Sequence, residues 1–326
     1  MIGDNWAVVF IKFQKYYRQI YLFEVKYNAE KFKGEYVIMK KVILAVDAGG
    51  TYLKSGLFEG AKLVAETLDR VPVNSNGELE SIKDSYSAIL RRGALKAAEL
   101  GLELERIHVD IPAPFDYVNG ISHMEHKYAA IKDVPLRPWF EEAVPGVPVR
   151  FMHDSAAFIQ GAATDVPDCK RVAGVMIGTG FGFGMMVDGE VLRKDNGEPL
   201  TEMYDKPYKG TIAEEFVSAR GLVRLYCEVS GGKPISGKEI GDRAESGDEI
   251  CIKAYCEMAK VLAKVLIPVL NEHKIEALVL GGQISKSFCV FENTLREILS
   301  AVPTLRIIVR AKDIDMVHLV GTAVGK

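Results

Sequence analysis

Apolar and polar residues fall into two rhythms along this chain: short β-branched runs, and longer stretches with apolar residues three or four apart. The first strong run, Val42-Ile43-Leu44-Ala45-Val46, ends in Asp47-Ala48-Gly49-Gly50-Thr51. Its length and composition predict a buried strand that stops on an acid and a glycine turn. Leu53–Phe58 and Ala61–Glu66 read as two further strands joined at Glu59-Gly60, a hairpin. Ser81–Leu100 has helical spacing, with Gly101 as its stop. Ile107–Ile111 reads as a short strand ended by the Pro112–Asp116 loop. Val149–Asp154 reads as another strand ending on an acid, and Ser155–Ala163 as the helix after it.

The pattern then repeats. Arg171–Ile177 predicts a strand, Gly178-Thr179-Gly180-Phe181-Gly182 a glycine turn, Phe183–Val187 a second strand, and Asp188-Gly189 a tight turn. Residues 171–193 thus restate residues 42–66, an internal duplication. Glu214–Glu228 and Asp248–Glu272 read as long helices, the second bent at Pro268. Ile275–Leu280 as a strand, the loop Gly281–Ser285, a helix to Leu299, the strand Arg306–Arg310 and a short helix Met316–Val324 complete the chain. Strands alternating with helices around two similar cores indicate α/β architecture.

Composition narrows the class. The 326 residues are 48% hydrophobic and 26% charged, enough for one large or two medium domains. A net charge of −3 and a pI near 6.1 argue against a general nucleic-acid binder. No apolar run approaches the roughly 18 residues of a membrane span. Five scattered cysteines without a C-x-x-C pair argue against a disulfide framework or a tetrathiolate zinc site and fit a cytoplasmic protein. Residues 1–38 differ from the rest: Lys12, Lys15 and Arg18 break the apolar Trp6–Ile11 too soon for a secretory signal. They read either as an N-terminal extension that packs on the body, or as a stretch outside the native protein, with Met39 the start.

Candidate chemistry sits at the turns. Glycines let backbone N–H groups approach an anion, so Gly49-Gly50 and Gly178-Thr179-Gly180 are candidate phosphate turns that could grip one nucleotide from two sides. Thr51 adds a hydroxyl donor, and Asp47 stands where a metal or its water shell could be held. Plain hairpin turns remain the competing reading. Lys54 could reach a phosphate or simply be an exposed strand lysine. Gly281-Gly282 would let a flat base or ribose lie on bare backbone, with Ser285 beginning the next helix. Asp154, between a strand and a small-residue helix, is a candidate general base for a substrate hydroxyl. The alternative is an aspartate that caps the helix.

Taken together, Asp47–Thr51, Asp154 in Val149–Ala157, Gly178–Gly184 and Leu280–Ser285 resemble the motifs of the ROK family in order and spacing, over about residues 41–325. That family contains bacterial sugar kinases of the actin/hexokinase/Hsp70 ATPase superfamily. The resemblance implies a two-domain actin/hexokinase-like (ribonuclease H-like) ATPase fold with an interdomain cleft. A small domain would span 39–154 and a larger one 155–311, with 312–326 packing back on the first. It implies phosphoryl transfer from ATP to a sugar hydroxyl. Asp47, Gly49, Gly50 and Thr51 match the first phosphate loop, with Asp47 near the Mg²⁺. Gly178, Thr179 and Gly180 match the second, Gly281, Gly282 and Ser285 the adenosine motif, and Asp154 the base.

Departures mark the acceptor end. The usual Asn-Asp-Ala-Asn reads His153-Asp154-Ser155-Ala156, and Tyr204-Asp205 follows Glu202 where Gly-His is usual. Lys127 stands where a sugar-contacting asparagine is common, suiting an anionic or unusual substrate, though a surface lysine is the plainer reading. Lys127, His153 and Glu202 are therefore the candidate sugar contacts. The family's His and Cys-x-Cys-Gly-x-x-Gly-Cys zinc motif is missing from the sequence, which predicts no structural zinc site. The partner expected is a small-molecule sugar, not nucleic acid or membrane; dimers are common among similar proteins, so a homodimer is an open arrangement. The rival function is a non-catalytic sugar-sensing or regulatory protein on the same scaffold, although residues 1–38 are too short and poorly patterned for a helix-turn-helix.

Overall fold

In the computed structural model, which describes residues 39–325, the Lys41–Ala48 run becomes β1, a central strand with Val42, Leu44, Ala45, Val46 and Ala48 all buried. The extension read at residues 1–38 lies outside the described residues. β2 (Tyr52–Glu59) pairs antiparallel with β1, and β3 (Lys62–Leu63) pairs with β2. The strand expected over 61–66 is only two residues long. The chain leaves the edge and returns as β4 (Asp69–Pro72), which also pairs with β2 and was not read from sequence. Helix α1 (Leu79–Glu99) buries Ile82, Tyr86, Ile89, Leu90 and Ala97 on one face, and Gly101 follows it at φ +66.

β5 (Glu103–Ile111) lies parallel to β1 and brings Asp110 opposite Asp47. A small ladder of β6 (Phe115–Asp116) and β7 (Ile121–Ser122) follows, then helix α2 (Arg137–Ala143). β8 (Val149–His153) lies parallel to β5, with His153 opposite Ile111. The first sheet runs β3-β2-β1-β5-β8. Helix α3 (Asp154–Ala163) leads out of it.

The second sheet repeats the first. β9 (Arg171–Ile177) and β10 (Phe181–Val187) form the hairpin, and β11 (Glu190–Val191) its edge. After a two-residue ladder of β12 (Pro207–Tyr208) and β13 (Thr211–Ile212), the helices α4 (Ala219–Ser230), α5 (Gly237–Glu245) and α6 (Glu249–Glu272) cross over. β14 (Ala277–Gly281) lies parallel to β9, helix α7 (Phe288–Leu299) follows, and β15 (Ile307–Arg310) lies parallel to β14. The order β11-β10-β9-β14-β15 matches the β3-β2-β1-β5-β8 path of the first sheet, with no counterpart of β4. This is the topological form of the duplicated sequence pattern.

The helix expected over 214–228 begins later. Ala213–Glu215 is a 3₁₀ turn, and Ser218, extended at φ −166, caps α4 by accepting the Gly221 N–H at 3.2 Å. Finally α8 (Val317–Val324) turns back toward the first sheet. Leu319 and Ala323 pack on Ala45 and Phe58, while α3 covers the second sheet through Phe158, Ile159 and Ala162. The two helices meet along Gly161 and Gly321 and join the halves back to back. Among the described residues no helix is long and apolar enough to cross a membrane.

Candidate active site

In each sheet the central parallel strands end at one edge, where α/β folds place their ligands. Asp47 and Asp110 lie near the carboxyl ends of β1 and β5, and His153 at that of β8. Gly178 and Gly281 stand at the ends of β9 and β14.

The first turn is pinned from outside. Gly49 O accepts the Tyr128 hydroxyl at 2.6 Å, Gly50 O accepts the Ser75 N–H at 3.2 Å, and Thr51 O accepts the Val73 N–H at 2.9 Å. Each bond consumes a carbonyl, so the turn's own N–H groups remain for an anion. The Lys127 stem lies against this turn: its Cε is 3.8 Å from where a Gly50 Cβ would be. The Lys127 side chain has no ion-pair partner among the described residues. Lys54 pairs with Asp47, its Nζ 3.5 Å from Oδ2.

The second turn depends on a residue that sequence reading had placed in a helix. Phe181 N–H donates to Glu214 Oε2 at 2.9 Å, and Ala219 N–H donates to Gly178 O at 2.8 Å. Glu214 Oε1 also takes the Arg220 guanidinium at 2.7 Å. A Cβ on Gly180 would stand 2.7 Å from Glu214 Oε2, so a larger residue there would push that carboxylate off the Phe181 amide. Gly184, counted with the turn from sequence, lies inside β10, and a Cβ there would stand 2.7 Å from Ser155 O. It is a packing position beneath α3. Glu214→Ala should weaken binding of an ATP analogue about tenfold by calorimetric titration, because a hydrogen bond to a charged group contributes about 1.5–3 kcal/mol. Unchanged affinity would mean that the turn holds its shape without Glu214.

At the third loop Gly282 adopts φ +81. Ser285 is fully buried and donates its hydroxyl to Gly281 O at 2.7 Å, holding the loop closed. Asp315 accepts from Gln283 and Lys286 at 3.2 Å each, which ties this loop to the segment before α8.

Asp154 is the first residue of α3, and the cap position belongs to His153, so the carboxylate is not spent as a cap. Its side chain is 39% exposed. Burial pushes the Asp154 carboxyl up, but the His153 imidazole beside it, the bond from that ring, His318 and the Ser155 amide outweigh burial and hold it at about 2. Asp154 is therefore a carboxylate at neutral pH. Glu202 is half-buried, and burial pushes its carboxyl up.

Several residues here were not read from sequence. Tyr117 donates its hydroxyl to Ile111 O at 3.0 Å, and its N–H meets Asn196 O at 3.4 Å, a contact between the two halves. Asp110 is buried, and burial with the neighbouring Asp47 carboxylate pushes its carboxyl well up. Thr322 Oγ1 has one proton but lies 2.5 Å from Asp110 Oδ2 and 2.8 Å from His318 O. Both contacts are satisfied when Asp110 is the neutral acid and donates to Thr322. The signal for Asp110 was an acid between the apolar Val109 and Ile111 near the end of its strand.

Asp47 offers the oxygen donor that Mg²⁺ prefers, and a cation, the Lys54 ammonium, already balances it. One carboxylate completed by phosphate oxygens is an ordinary Mg²⁺ donor set. The residues fit an ion held jointly with a nucleotide. Among the described residues no three His, Cys, Asp or Glu side chains group to hold a metal by themselves.

The N-acetyl-D-glucosamine kinase of Aliivibrio salmonicida (strain LFI1238) is 24% identical over 301 residues, which cover 85% of this chain and 97% of that protein. A ROK family glucokinase from Streptomyces griseus, solved with glucose and AMPPNP, superposes with a TM-score of 0.67 at 20% identity, covering 86% of this chain and 98% of its own. A ROK family transcriptional regulator, a homologue of the E. coli MLC protein, superposes with a TM-score of 0.75 at 17% identity, covering 87% of this chain and 77% of its own. The actin/hexokinase-like fold is thus shared by kinases and a regulator. The ROK family model matches residues 43–317, and the chain belongs to that family.

Proposed function

We propose that this ROK-family chain is a sugar kinase that moves the γ-phosphoryl group of ATP to a hydroxyl of a hexose or hexose derivative, with Asp154 as general base. The observation that carries this reading is the Asp154 carboxylate, ionised and half-buried at the edge of the first sheet where β1 ends in the Gly49-Gly50 turn. A regulator on the same fold needs sugar binding but no base, so a carboxylate held ionised beside His153 and still 39% exposed favours catalysis.

In this reading the N–H groups of Gly49, Gly50 and Thr51 face one side of the phosphates, and those of Thr179 and Gly180 the other, with the Gly178 N–H closing the turn onto Gly180 O at 3.0 Å. Gly281, Gly282 and Ser285 shape the shelf for the adenosine. Asp47 would hold the Mg²⁺, which when bound neutralises phosphate charge. Lys54 would exchange Asp47 for a phosphate, and Lys127 brings a second ammonium to the first turn. Asp154 accepts the proton of the acceptor hydroxyl as that oxygen attacks phosphorus. The loose transition state leaves most of the rate to positioning and charge neutralisation. His153, Glu202 and Lys127 border the acceptor end. Closure of the halves 39–154 and 155–311 would expel water from the site.

The relatives' acceptors, N-acetylglucosamine and glucose, are the first to try. A coupled ADP-release screen over hexoses, amino sugars, polyols and sugar acids should find turnover with at least one of them. Tight binding of a sugar with no turnover of any would give the sensor reading instead.

A further inference from the structure

His153 is placed against the carboxylate rather than open to solvent. Its side chain is 11% exposed, and its ring stands edge-on to Tyr117 with centroids 5.7 Å apart. Nδ1 lies 2.9 Å from Asp154 Oδ1, 2.8 Å from Ser155 Oγ and 3.0 Å from Ser155 N. One ring nitrogen cannot serve all of these in a single protonation state. With a proton, Nδ1 donates to the Asp154 carboxylate. Without one, it accepts the Ser155 amide and turns a lone pair toward a negatively charged oxygen. The protonated arrangement is the one that fixes the carboxylate.

We propose that His153 is the positioning residue for Asp154: its Nδ1–H orients the carboxylate, and its charge sets how strongly that carboxylate draws the acceptor's proton. This rests on the reading of Asp154 as the base. The imidazolium lowers the basicity of Asp154, whereas the neutral Nδ1–H tautomer keeps the hydrogen bond and removes the charge. Turnover should therefore rise with pH across the His153 ionisation. Burial disfavours the His153 cation, but Asp154 first, then Glu202 and Glu198 from the segment after β11, stabilise it and move the ionisation above the usual histidine value. His318 on α8 and the Ser155 amide act on Asp154, Asp110 on β5 interacts with it, and the Tyr117 hydroxyl lies in its field.

The test is a pH–rate profile of the full chain, with MgATP and an acceptor found by the screen, for wild type, His153→Leu and His153→Asn. Wild-type kcat should rise to a plateau above neutrality. His153→Leu should lower the plateau about 10- to 100-fold, the scale of lost orientation, and abolish the limb, with KM for MgATP within about twofold. His153→Asn, which can present an amide N–H from the same place, should recover most of the plateau with no neutral-range limb. Retention of the limb in either variant would overturn the proposal, and so would a loss confined to acceptor KM, which would make His153 a substrate contact only. Should the leucine variant fail to fold by its melting curve, the asparagine profile decides alone. Asp154→Asn is run in parallel: turnover there refutes the base itself, whereas inactive Asp154→Asn beside unaltered His153 variants refutes only the positioning role.

Discussion

Asp154→Asn should lower kcat by about 10²- to 10⁴-fold, the ordinary contribution of a positioned general base, while affinity for an ATP analogue stays within about threefold. Asparagine matches aspartate in shape but cannot accept the acceptor's proton. The expected nucleotide contacts come from backbone at Gly49–Thr51 and Gly178–Gly180, whose supports are Tyr128, Ser75, Glu214 and Ala219. None of these touches Asp154, so binding and turnover should separate. Calorimetric titration with AMPPNP gives the first quantity and ADP release the second. A variant that turned over within tenfold of wild type would remove Asp154 from the mechanism. A parallel loss of nucleotide binding would make it a structural residue.

Gly321→Ala should be the most destabilising single-methyl change in the described residues. A Cβ at Gly321 would stand 1.6 Å from Ala157 O and 2.6 Å from Gly161 N, and one at Gly161 would stand 2.0 Å from Val317 O. These are backbone atoms of α3 and α8, so no side chain can rotate away. Relief requires the helices to separate, which would pull Leu319 and Ala323 off Ala45 and Phe58 and strain the Thr322–Asp110 bond. His108, kept neutral because burial pushes it down to about 4, donates through Nδ1 to Thr322 O at 2.8 Å and would lose that contact too. Overpacking of this kind costs about 3 kcal/mol or more, a fall in Tm of roughly 4–5 °C or more at this size. Gly237→Ala is the control: its nearest neighbour to a new Cβ is Ala219 O at 4.0 Å, and it begins α5, where alanine is the better helix former. Gly321→Ala melting together with Gly237→Ala would show that the α3–α8 contact is looser than its geometry. Because α3 begins at Asp154, the same crossing sets where the carboxylate stands relative to the first sheet.

The strands and turns were the legible part of this protein. β1, β9, β10 and β14 carry apolar runs that have no other stable use than a buried strand, and the glycines that end them mark turns no larger residue would favour. The repeat of strand, turn and strand was visible because both copies use the same local chemistry. Boundaries failed where a polar residue changed its job. Ser218 stops the α4 helix short of Glu214, and the freed carboxylate folds onto the Phe181 amide. β4 was missed because four residues, Asp69–Pro72, carry too little periodicity to register.

Local sequence determined the α/β class, the duplicated hairpins, the positions of the glycine turns and the presence of an acid at the start of α3, because each depends on residues only a few positions apart. Tertiary structure alone decided the rest: that α8 touches α3 backbone to backbone, that Lys127 lies on Gly50, that Asp110 sits opposite Asp47, and that the His153 ring is turned onto Asp154 rather than into solvent. The first three join segments dozens to hundreds of residues apart. The last is local in sequence, but the ring's direction is set by Tyr117 and by the packing of β8 beside β5. The motif at Asp47–Thr51 could be read from its own ten residues. The environment that keeps the Asp154 carboxyl ionised could not, because its field comes from His153, His318 and Asp110, on three different elements.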